Sequence, residues 1–370
     1  MSGLLFVASA SMLWMATNCS HSMTHPPLIK SNSIISGITS HSTIYCKPEL
    51  AGLYWISLSD NKAMKVLVTG GAGFIGSHLV DALIQRRHQL VVVDNLSTGR
   101  SENVNPAATF YRVDICSPEL ETIFEKERPE LVNHQAAQTV IQKSNQDPAF
   151  DAKQNILGSL NLVLQCLRFG VKKIVYASSA GVYGEPKYRP VDENHPVTPI
   201  SYYGISKHTV EHYLHLCHLE NSLSYTVLRY ANVYGPRQSP KGEAGVVAIF
   251  TRQMLQGERP TIFGKGDKTR DYVYVADVVM ANLLAMEKSI DGVYNIGTGV
   301  ETSDQEMFDL LAGLTGYNGN PHYVPVRKGE IYRSCLAYSK AQKEIGWQPQ
   351  FLLREGLRET VNYYRSMFGK

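Results

Sequence analysis

What this 370-residue chain lacks narrows its function first. Cysteine is sparse: Cys19, Cys46, Cys116, Cys166, Cys217 and Cys335 lie far apart, and no two form a Cys-x-x-Cys pair. That spacing argues against a disulfide framework or a structural zinc site, and makes a reducing cytosol the default compartment. An excess of either charge is also missing, since 36 Lys and Arg oppose 33 Asp and Glu for a net +3. So even a balance gives no surface for nucleic acid or anionic lipid. No run approaches the roughly 18 apolar residues that a membrane-spanning helix needs. Composition is otherwise that of a globular protein, 44% hydrophobic and 19% charged, which excludes wholesale disorder and fibrous classes.

Charge is scarce in one place in particular. Residues 1–63 hold only Lys30, Lys47, Glu49, Asp60 and Lys62, together with twelve serines and no sustained period of 2 or 3.6. The stretch reads as a poorly organised extension without a core of its own. Its apolar segment 4–15 is the length of a signal-peptide core, but no Lys or Arg precedes it and no clean cleavage site follows. An appendage, or a start set upstream of Met64, is the expectation.

Organised sequence begins at the next residue. Lys65-Val66-Leu67-Val68-Thr69 reads as a buried strand and leads into Gly70-Gly71-Ala72-Gly73-Phe74-Ile75-Gly76, after which apolar residues recur at helical spacing. Glycines at 70, 73 and 76 suit a dinucleotide. Gly70 permits a tight turn, Gly73 lets backbone N–H groups approach a pyrophosphate, and Gly76 lets helix pack on strand. Leu90-Val91-Val92-Val93 predicts the second strand and ends at Asp94, eighteen residues beyond Gly76, placed for a ribose 2′-hydroxyl. That carboxylate would repel a 2′-phosphate and so favours NAD over NADP.

Strands and helices then alternate as in a doubly wound α/β sheet. Strands are expected at 109–113, 131–134 and 173–177, with helices at about 118–126 and 151–169. Continuous apolar runs, rather than alternating ones, fit parallel strands buried on both faces.

The fifth strand runs into Ser178-Ser179-Ala180-Gly181-Val182-Tyr183-Gly184, and Tyr203-Gly204-Ile205-Ser206-Lys207 opens a helix expected over 206–219. Tyr203 and Lys207, four residues apart, share a helical face. A phenol with a pKa near ~10 is a poor base at neutral pH. The Lys207 ammonium and a cationic nicotinamide are expected to bring it toward ~7, a shift worth about 4 kcal/mol. Ser179, at a carboxyl-terminal strand end, is placed to bridge the phenol and a substrate oxygen.

These segments, in this order, resemble the extended short-chain dehydrogenase/reductase family and, within it, the NAD-dependent nucleotide-sugar epimerases. The resemblance covers about residues 65–365. It rests on residues 68–76, 93–99 and 134–137, on Asn155-Ile156-Leu157-Gly158, and on the serine and tyrosine–lysine segments. Arg229 through Arg237 and Thr269-Arg270-Asp271-Tyr272-Val273 complete it. It implies Ser179, Tyr203 and Lys207 as the catalytic set. It further implies that Gly70, Gly73, Phe74, Ile75, Gly76, Asp94, Asn95, Asp114, Ile115, Asn155, Tyr203 and Lys207 hold NAD. The activity implied is 4-epimerisation of a UDP-hexose through a transient 4-keto sugar, with no net redox change.

A smaller carboxyl-terminal α/β lobe is expected to hold the nucleotide-sugar, with the boundaries 64–240 for the NAD-binding domain and 241–370 mainly for the lobe, some segments returning to the first domain. Arg270 and Arg327 are diphosphate candidates because guanidinium forks suit phosphate oxygens. By the resemblance, Asn232, Arg270, Arg327 and Glu330 contact the substrate nucleotide, with Ser179 and Ser334 facing the sugar. Departures from the family narrow the chemistry. Dehydratases and decarboxylases of this kind carry acids where this chain has Ala180 and Gly181. Where strict glucose/galactose epimerases resemble one another in a bulky gate, this chain has Ser334, leaving room for a 2-acetamido group. Ala337 replaces an Asp of relatives without an assignable consequence. The alternatives left open are another activity of the extended family, such as a UDP-glucuronate epimerase or a reductase, and an idle NAD-binding regulator. The family also implies a homodimer, and amphipathic segments at 155–167 and 207–219 are consistent with one. No metal is expected.

Overall fold

The apolar β-branched runs pair side by side into one parallel sheet. A computed structural model describes residues 62–240, 245–326 and 331–369. The reading of the N-terminal extension through residue 61, the substrate candidates Arg327 and Glu330, and the boundary at 240/241 fall on or against segments outside the described residues.

In chain order the elements are β1 (Lys65–Thr69), α1 (Phe74–Gln85), β2 (Gln89–Val93), β3 (Thr109–Tyr111), α2 (Glu119–Glu127), β4 (Leu131–His134), α3 (Ile141–Gln146) and α4 (Pro148–Ala152). A π-helical stretch (Lys153–Leu157) leads into α5 (Gly158–Arg168), followed by β5 (Lys173–Ser179), α6 (Tyr202–Asn221), β6 (Ser224–Tyr230) and β7 (Asn232–Tyr234). Then come α7 (Val246–Gln256), β8 (Thr261–Phe263), β9 (Thr269–Arg270), β10 (Tyr272–Tyr274), α8 (Val275–Glu287) and β11 (Gly292–Ile296). The last are β12 (Thr302–Ser303), α9 (Asp304–Thr315), β13 (His322–Val324), α10 (Ser339–Ile345) and α11 (Leu353–Phe368).

The main sheet has the order β11-β6-β5-β4-β1-β2-β3, with every neighbouring pair parallel. The chain winds outward in one direction through β2 and β3 and in the other through β4, β5 and β6. The two directions part between β1 and β4, and in such sheets the crevice at that point, beyond the carboxyl ends of the strands, is where ligands bind. Leu67, Val91, Val132, Ile174 and Tyr176 of the strands pack with Leu120, Phe124, Leu162 and Leu214 of the helices, all buried. Each such aliphatic side chain stabilises the fold by about 1.5–3 kcal/mol relative to leaving it in water.

Two expectations shift. The helix expected from 206 begins at Tyr202, because Ser201 caps it by accepting from Gly204 N–H at 3.1 Å. The single helix expected over 151–169 is α4, one π turn and α5.

After β7 the chain builds three short two-stranded ladders, β7–β10, β8–β13 and β9–β12. Beside them Phe250, Met254, Phe308, Leu311, Leu357 and Val361 form a second buried cluster. Between these pieces, β11 returns to the main sheet as the partner of β6, and α8 packs against α1 and the sheet.

Candidate active site

At the carboxyl end of β1 the chain turns through Gly70, whose φ is +68° and whose N–H donates to Val93 O at 2.8 Å. A side chain there would have its Cβ 2.7 Å from Ala136 N, and one at Gly76 would drive into the Gly70 carbonyl oxygen. The loop is therefore packed as backbone upon backbone. It delivers the amino end of α1 with no side-chain cap and no acidic residue in the first turn. Phe74 and Ile75 supply the N–H groups of that turn, which suits an anion. Asp94, buried at the end of β2, accepts from Ala72 N–H at 3.0 Å and Leu96 N–H at 2.8 Å. Burial pushes its carboxyl up against the pull of those two N–H groups. Gly99 keeps the approach to it open, since a Cβ there would lie 2.9 Å from either carboxylate oxygen. Asn95 donates to Asp114 at 2.7 Å, and Asp114 also accepts from Cys116 N–H at 2.8 Å, so burial is outweighed and its carboxyl lies below the ordinary range. Ile115, next along, is buried. This cradle of free helix N–H groups and a strand-end carboxylate fits NAD.

A line of buried polar groups runs from that loop to α6. His134, at the end of β4, lies between Thr69 Oγ1 at 2.7 Å and Ser159 Oγ at 2.8 Å. Ser159 gives its hydrogen to the Asn155 carbonyl, so Nε2 of His134 donates to Ser159 and Nδ1 accepts from Thr69. Burial, with the nearby Lys207 charge, lowers this imidazole to about 3, and it stays neutral. Asn155, in the π turn, accepts from Gln138 N–H at 2.8 Å. It donates to Gln138 O at 2.9 Å, to Asp151 Oδ1 at 3.1 Å and to Ser206 Oγ at 3.1 Å. Ser206 in turn donates to Tyr203 O at 3.0 Å. The π turn thus anchors α4 and α5 to the first turns of α6, a placement common for such bulges at functional sites.

Ser179 ends β5. Its Oγ accepts from Gly181 N–H at 3.1 Å and hydrogen-bonds to the Tyr203 phenol. Lys207 is buried, its Nζ donating to Ala177 O at 2.8 Å and lying 4.9 Å from the centre of the Tyr176 ring. Ser179 and Tyr203 are thus joined directly where β5 ends and α6 begins, and Lys207, one turn along α6, binds the carbonyl of Ala177 two residues before Ser179. Their electrostatics are not as expected. Burial pushes the Tyr203 phenol up to about 12, with Ser179 pulling it down and Asp151 adding to the rise. Burial also brings Lys207 down to about 7, against Asp151 and Glu211, which pull it up. The protein by itself does not acidify the phenol, because desolvation costs more than one hydroxyl contact returns and the neighbouring ammonium is itself near neutrality.

Behind this set lies a buried ion pair. Glu211 accepts from Arg229 Nε at 3.0 Å and Nη2 at 2.5 Å, from Ser178 Oγ at 2.6 Å, and pairs with His208 Nδ1 at 3.0 Å. Arg229 Nη1 also reaches Tyr183 OH at 2.8 Å. Burial alone would raise the Glu211 carboxyl, but these bonds outweigh it and lower it from 4.5 to about 2. A depressed folded pKa means stability that is full above about pH 4.5 and is lost as pH falls toward 2, of order 3 kcal/mol. Glu211→Gln should remove most of that acid dependence and lower the melting temperature at neutral pH, which thermal unfolding between pH 3 and 7 would read. An unchanged acid limb would contradict the assignment. His208 and His212 stand one turn apart with Glu211 between them, a metal-helix spacing. Glu211, however, faces inward, and no group of three or more ligating side chains fits a metal ion among the described residues.

On the substrate side, the candidates come together through Asp271, a residue that no spacing in the sequence marks for a role. Its buried carboxylate accepts from Thr298 N–H and Oγ1, Gly299 N–H and Leu336 N–H, while its carbonyl accepts from Asn232 N–H at 2.9 Å. It thus joins β7, where Asn232 sits exposed, to residues 334–336. Arg270 donates through Nη1 to Thr269 O at 2.7 Å and to Tyr332 O at 3.4 Å. Thr269 N–H donates to Tyr332 O at 3.1 Å, which brings Ser334 alongside Arg270. Ser334 is nearly buried, at 9% exposure.

The family model for the NAD dependent epimerase/dehydratase family matches residues 66–297. A putative UDP-glucose 4-epimerase of Methanocaldococcus jannaschii is 46% identical over 302 residues, covering 81% of this chain and 98% of that protein. Among solved structures, a UDP-glucose 4-epimerase of Thermotoga maritima with UDP-glucose is similar at a TM-score of 0.81 and 53% identity, covering 82% of this chain and all of the other. One of Thermus thermophilus in complex with NAD is similar at a TM-score of 0.78 and 44% identity, covering 82% and 99%. With the strand-end glycine loop, the Ser179–Tyr203–Lys207 set and these matches in agreement, the chain belongs to the NAD-dependent epimerase/dehydratase family, in the extended short-chain dehydrogenase/reductase group.

Proposed function

We propose that this chain catalyses the NAD-dependent 4-epimerisation of a UDP-hexose, interconverting UDP-glucose and UDP-galactose. One observation carries the choice of epimerisation over elimination or decarboxylation. A Cβ built on Gly181 would stand 3.4 Å from Ser179 Oγ and 3.8 Å from Tyr203 Cε1. An acid at that position would enter the site; the chain has Gly181 there and Ala180 before it. The phenol is left as the proton carrier.

In this reading Tyr203 takes the proton of the sugar 4-hydroxyl and later returns it, and Ser179 holds the phenol and the sugar oxygen in line. Lys207 supplies positive charge beneath the phenol. When bound, NAD supplies a reversible hydride acceptor and a cationic ring. Gly70, Gly73, Gly76 and the first turn of α1 hold its pyrophosphate. Asp94 takes a ribose hydroxyl, while Asn95, Asp114 and Ile115 border the adenosine side and Asn155 the nicotinamide side. Asn232 and Arg270 hold the substrate nucleotide, joined by Arg327 and Glu330.

Ser334 supports a broader substrate range. A nearly buried serine takes up less room than a bulky gate at that position would, and a 2-acetamido group is what the difference would admit, so UDP-N-acetylglucosamine is a second substrate. A panel of UDP-sugars assayed for C4 inversion by NMR tests both readings. Turnover of UDP-galactose and of the acetamido sugar is expected. No turnover of UDP-galactose would sink the first reading, and turnover of UDP-galactose alone the second.

We infer a homodimer in a reducing cytosol. Leu157 and Leu164 beside Ile205, Tyr213, Leu216 and Leu219 of α6 form an exposed apolar face, the kind a second copy covers. Sedimentation velocity should give twice the chain mass; a monomer at micromolar concentration would contradict it. Four cysteines are free among the described residues, and no helix among them is long and apolar enough to cross a membrane.

A further inference from the structure

Asp151 is 1% exposed, and nothing in the reaction as described uses it. Its Oδ1 is clamped by Gln138 Nε2 at 2.8 Å and Asn155 Nδ2 at 3.1 Å. Its Oδ2 is also buried and has no hydrogen-bond partner. A fully enclosed carboxylate with an unbonded oxygen is costly unless a positive charge faces it. Asn155 bonds both Asp151 and Ser206, the residue before Lys207, so Lys207 lies within the electrostatic reach of Asp151, and the same field acts on Tyr203 and Tyr176. Lys207 is faced by Asp151 from α4, by the Tyr176 ring from β5, by neutral His134 from β4, and by Glu211 from its own helix, on which Tyr203 stands one turn earlier. Glu211 is already paired with Arg229, so its charge is largely answered. Asp151 is the carboxylate left to Lys207.

We propose that Asp151 is a positioning residue of the reaction, the counter-charge that keeps Lys207 an ammonium while Tyr203 alternates between phenolate and phenol. The Lys207–Asp151 couple stays neutral overall in both halves of the cycle, so the buried site carries no standing excess of charge while the proton moves. The balance is close, because burial already brings Lys207 to about 7 with Asp151 in place. Without the carboxylate, one of the charges opposing burial is gone and the lysine shifts further toward the neutral amine. Gln138 and Asn155 hold the acid in register, which gives the π turn a purpose: it presents Asp151 and Asn155 together toward α6.

The inference rests on Tyr203 and Lys207 as the acid–base pair, and its test separates the two. Asp151→Asn is the informative variant, since its amide oxygen keeps the bonds from Gln138 and Asn155. Removing a negative charge lowers the pKa of every neighbouring group. Both limbs of the kcat/KM–pH profile should therefore move to lower pH by about one unit, with kcat at pH 8 down roughly tenfold to a hundredfold. Asp151→Glu should leave the profile in place. Tyr203 ionisation, followed as near-ultraviolet phenolate absorbance relative to a Tyr203→Phe chain of the same background, should move in the same direction without any turnover. Should Asp151→Asn not fold, Asp151→Ser carries the same expectation. A profile that keeps its position while only its height falls, or one that moves to higher pH, overturns the proposal. A wild-type profile indistinguishable from that of Tyr203→Phe would overturn the acid–base reading itself.

Discussion

Tyr203→Phe should lower kcat by roughly a thousandfold, within the range that removing a positioned acid–base group costs, with KM for the UDP-sugar little changed. The substitution removes one oxygen and its proton while the ring stays where α6 holds it. The phenol hydrogen-bonds to Ser179, and its ring lies beside Gly181. Without it no side chain there takes the 4-hydroxyl proton, because Gly181 and Ala180 offer no acid and His134 is engaged at both nitrogens. Steady-state kinetics with UDP-galactose would check this. Activity within tenfold of wild type would place the proton carrier elsewhere.

Gly76→Val should weaken cofactor binding sharply. The new Cβ would collide with the Gly70 carbonyl oxygen and come 2.9 Å from Gly71 Cα, neither of which is a flexible end. Backbone must move instead, so the first turn of α1 leaves the position in which its N–H groups face an anion. Overpacking of this kind costs about 1–3 kcal/mol of stability. A lost pyrophosphate cradle should weaken NAD by roughly a hundredfold, about 3 kcal/mol. Calorimetric titration of the variant with NAD, beside its melting curve, separates the two effects. Affinity unchanged within a factor of three would mean the loop does not hold the pyrophosphate.

The sheet was legible because burial on both faces writes itself as unbroken Val, Leu and Ile runs, and because strand, glycines, helix and Asp94 follow in fixed register. Ser179, Tyr203 and Lys207 were legible for the same reason: the strand end and the helix start are local features. Asp151, Gln138 and Asp271 were not. Their partners are separated from them along the chain, and no spacing rule records that a carboxylate beyond β9 will gather N–H groups from Thr298, Gly299 and Leu336. The π turn was invisible because one extra residue in a helix leaves the apolar pattern nearly unchanged. The pull on Tyr203 and Lys207 was not legible either, since their spacing on one helix face is written in the sequence whereas the cost of burying both is not.

Epimerisation by this site is a reversible oxidation at C4 of the sugar, with the hydrogen removed from that carbon returning to it. Conversion of UDP-galactose to UDP-glucose in deuterated water, followed by proton NMR, tests this most directly. The expected result is complete equilibration with no deuterium at C4, and conversion by Tyr203→Phe roughly a thousandfold slower. Deuterium appearing at C4 of the product would mean that the carbon exchanges its hydrogen with solvent, and would contradict the mechanism outright.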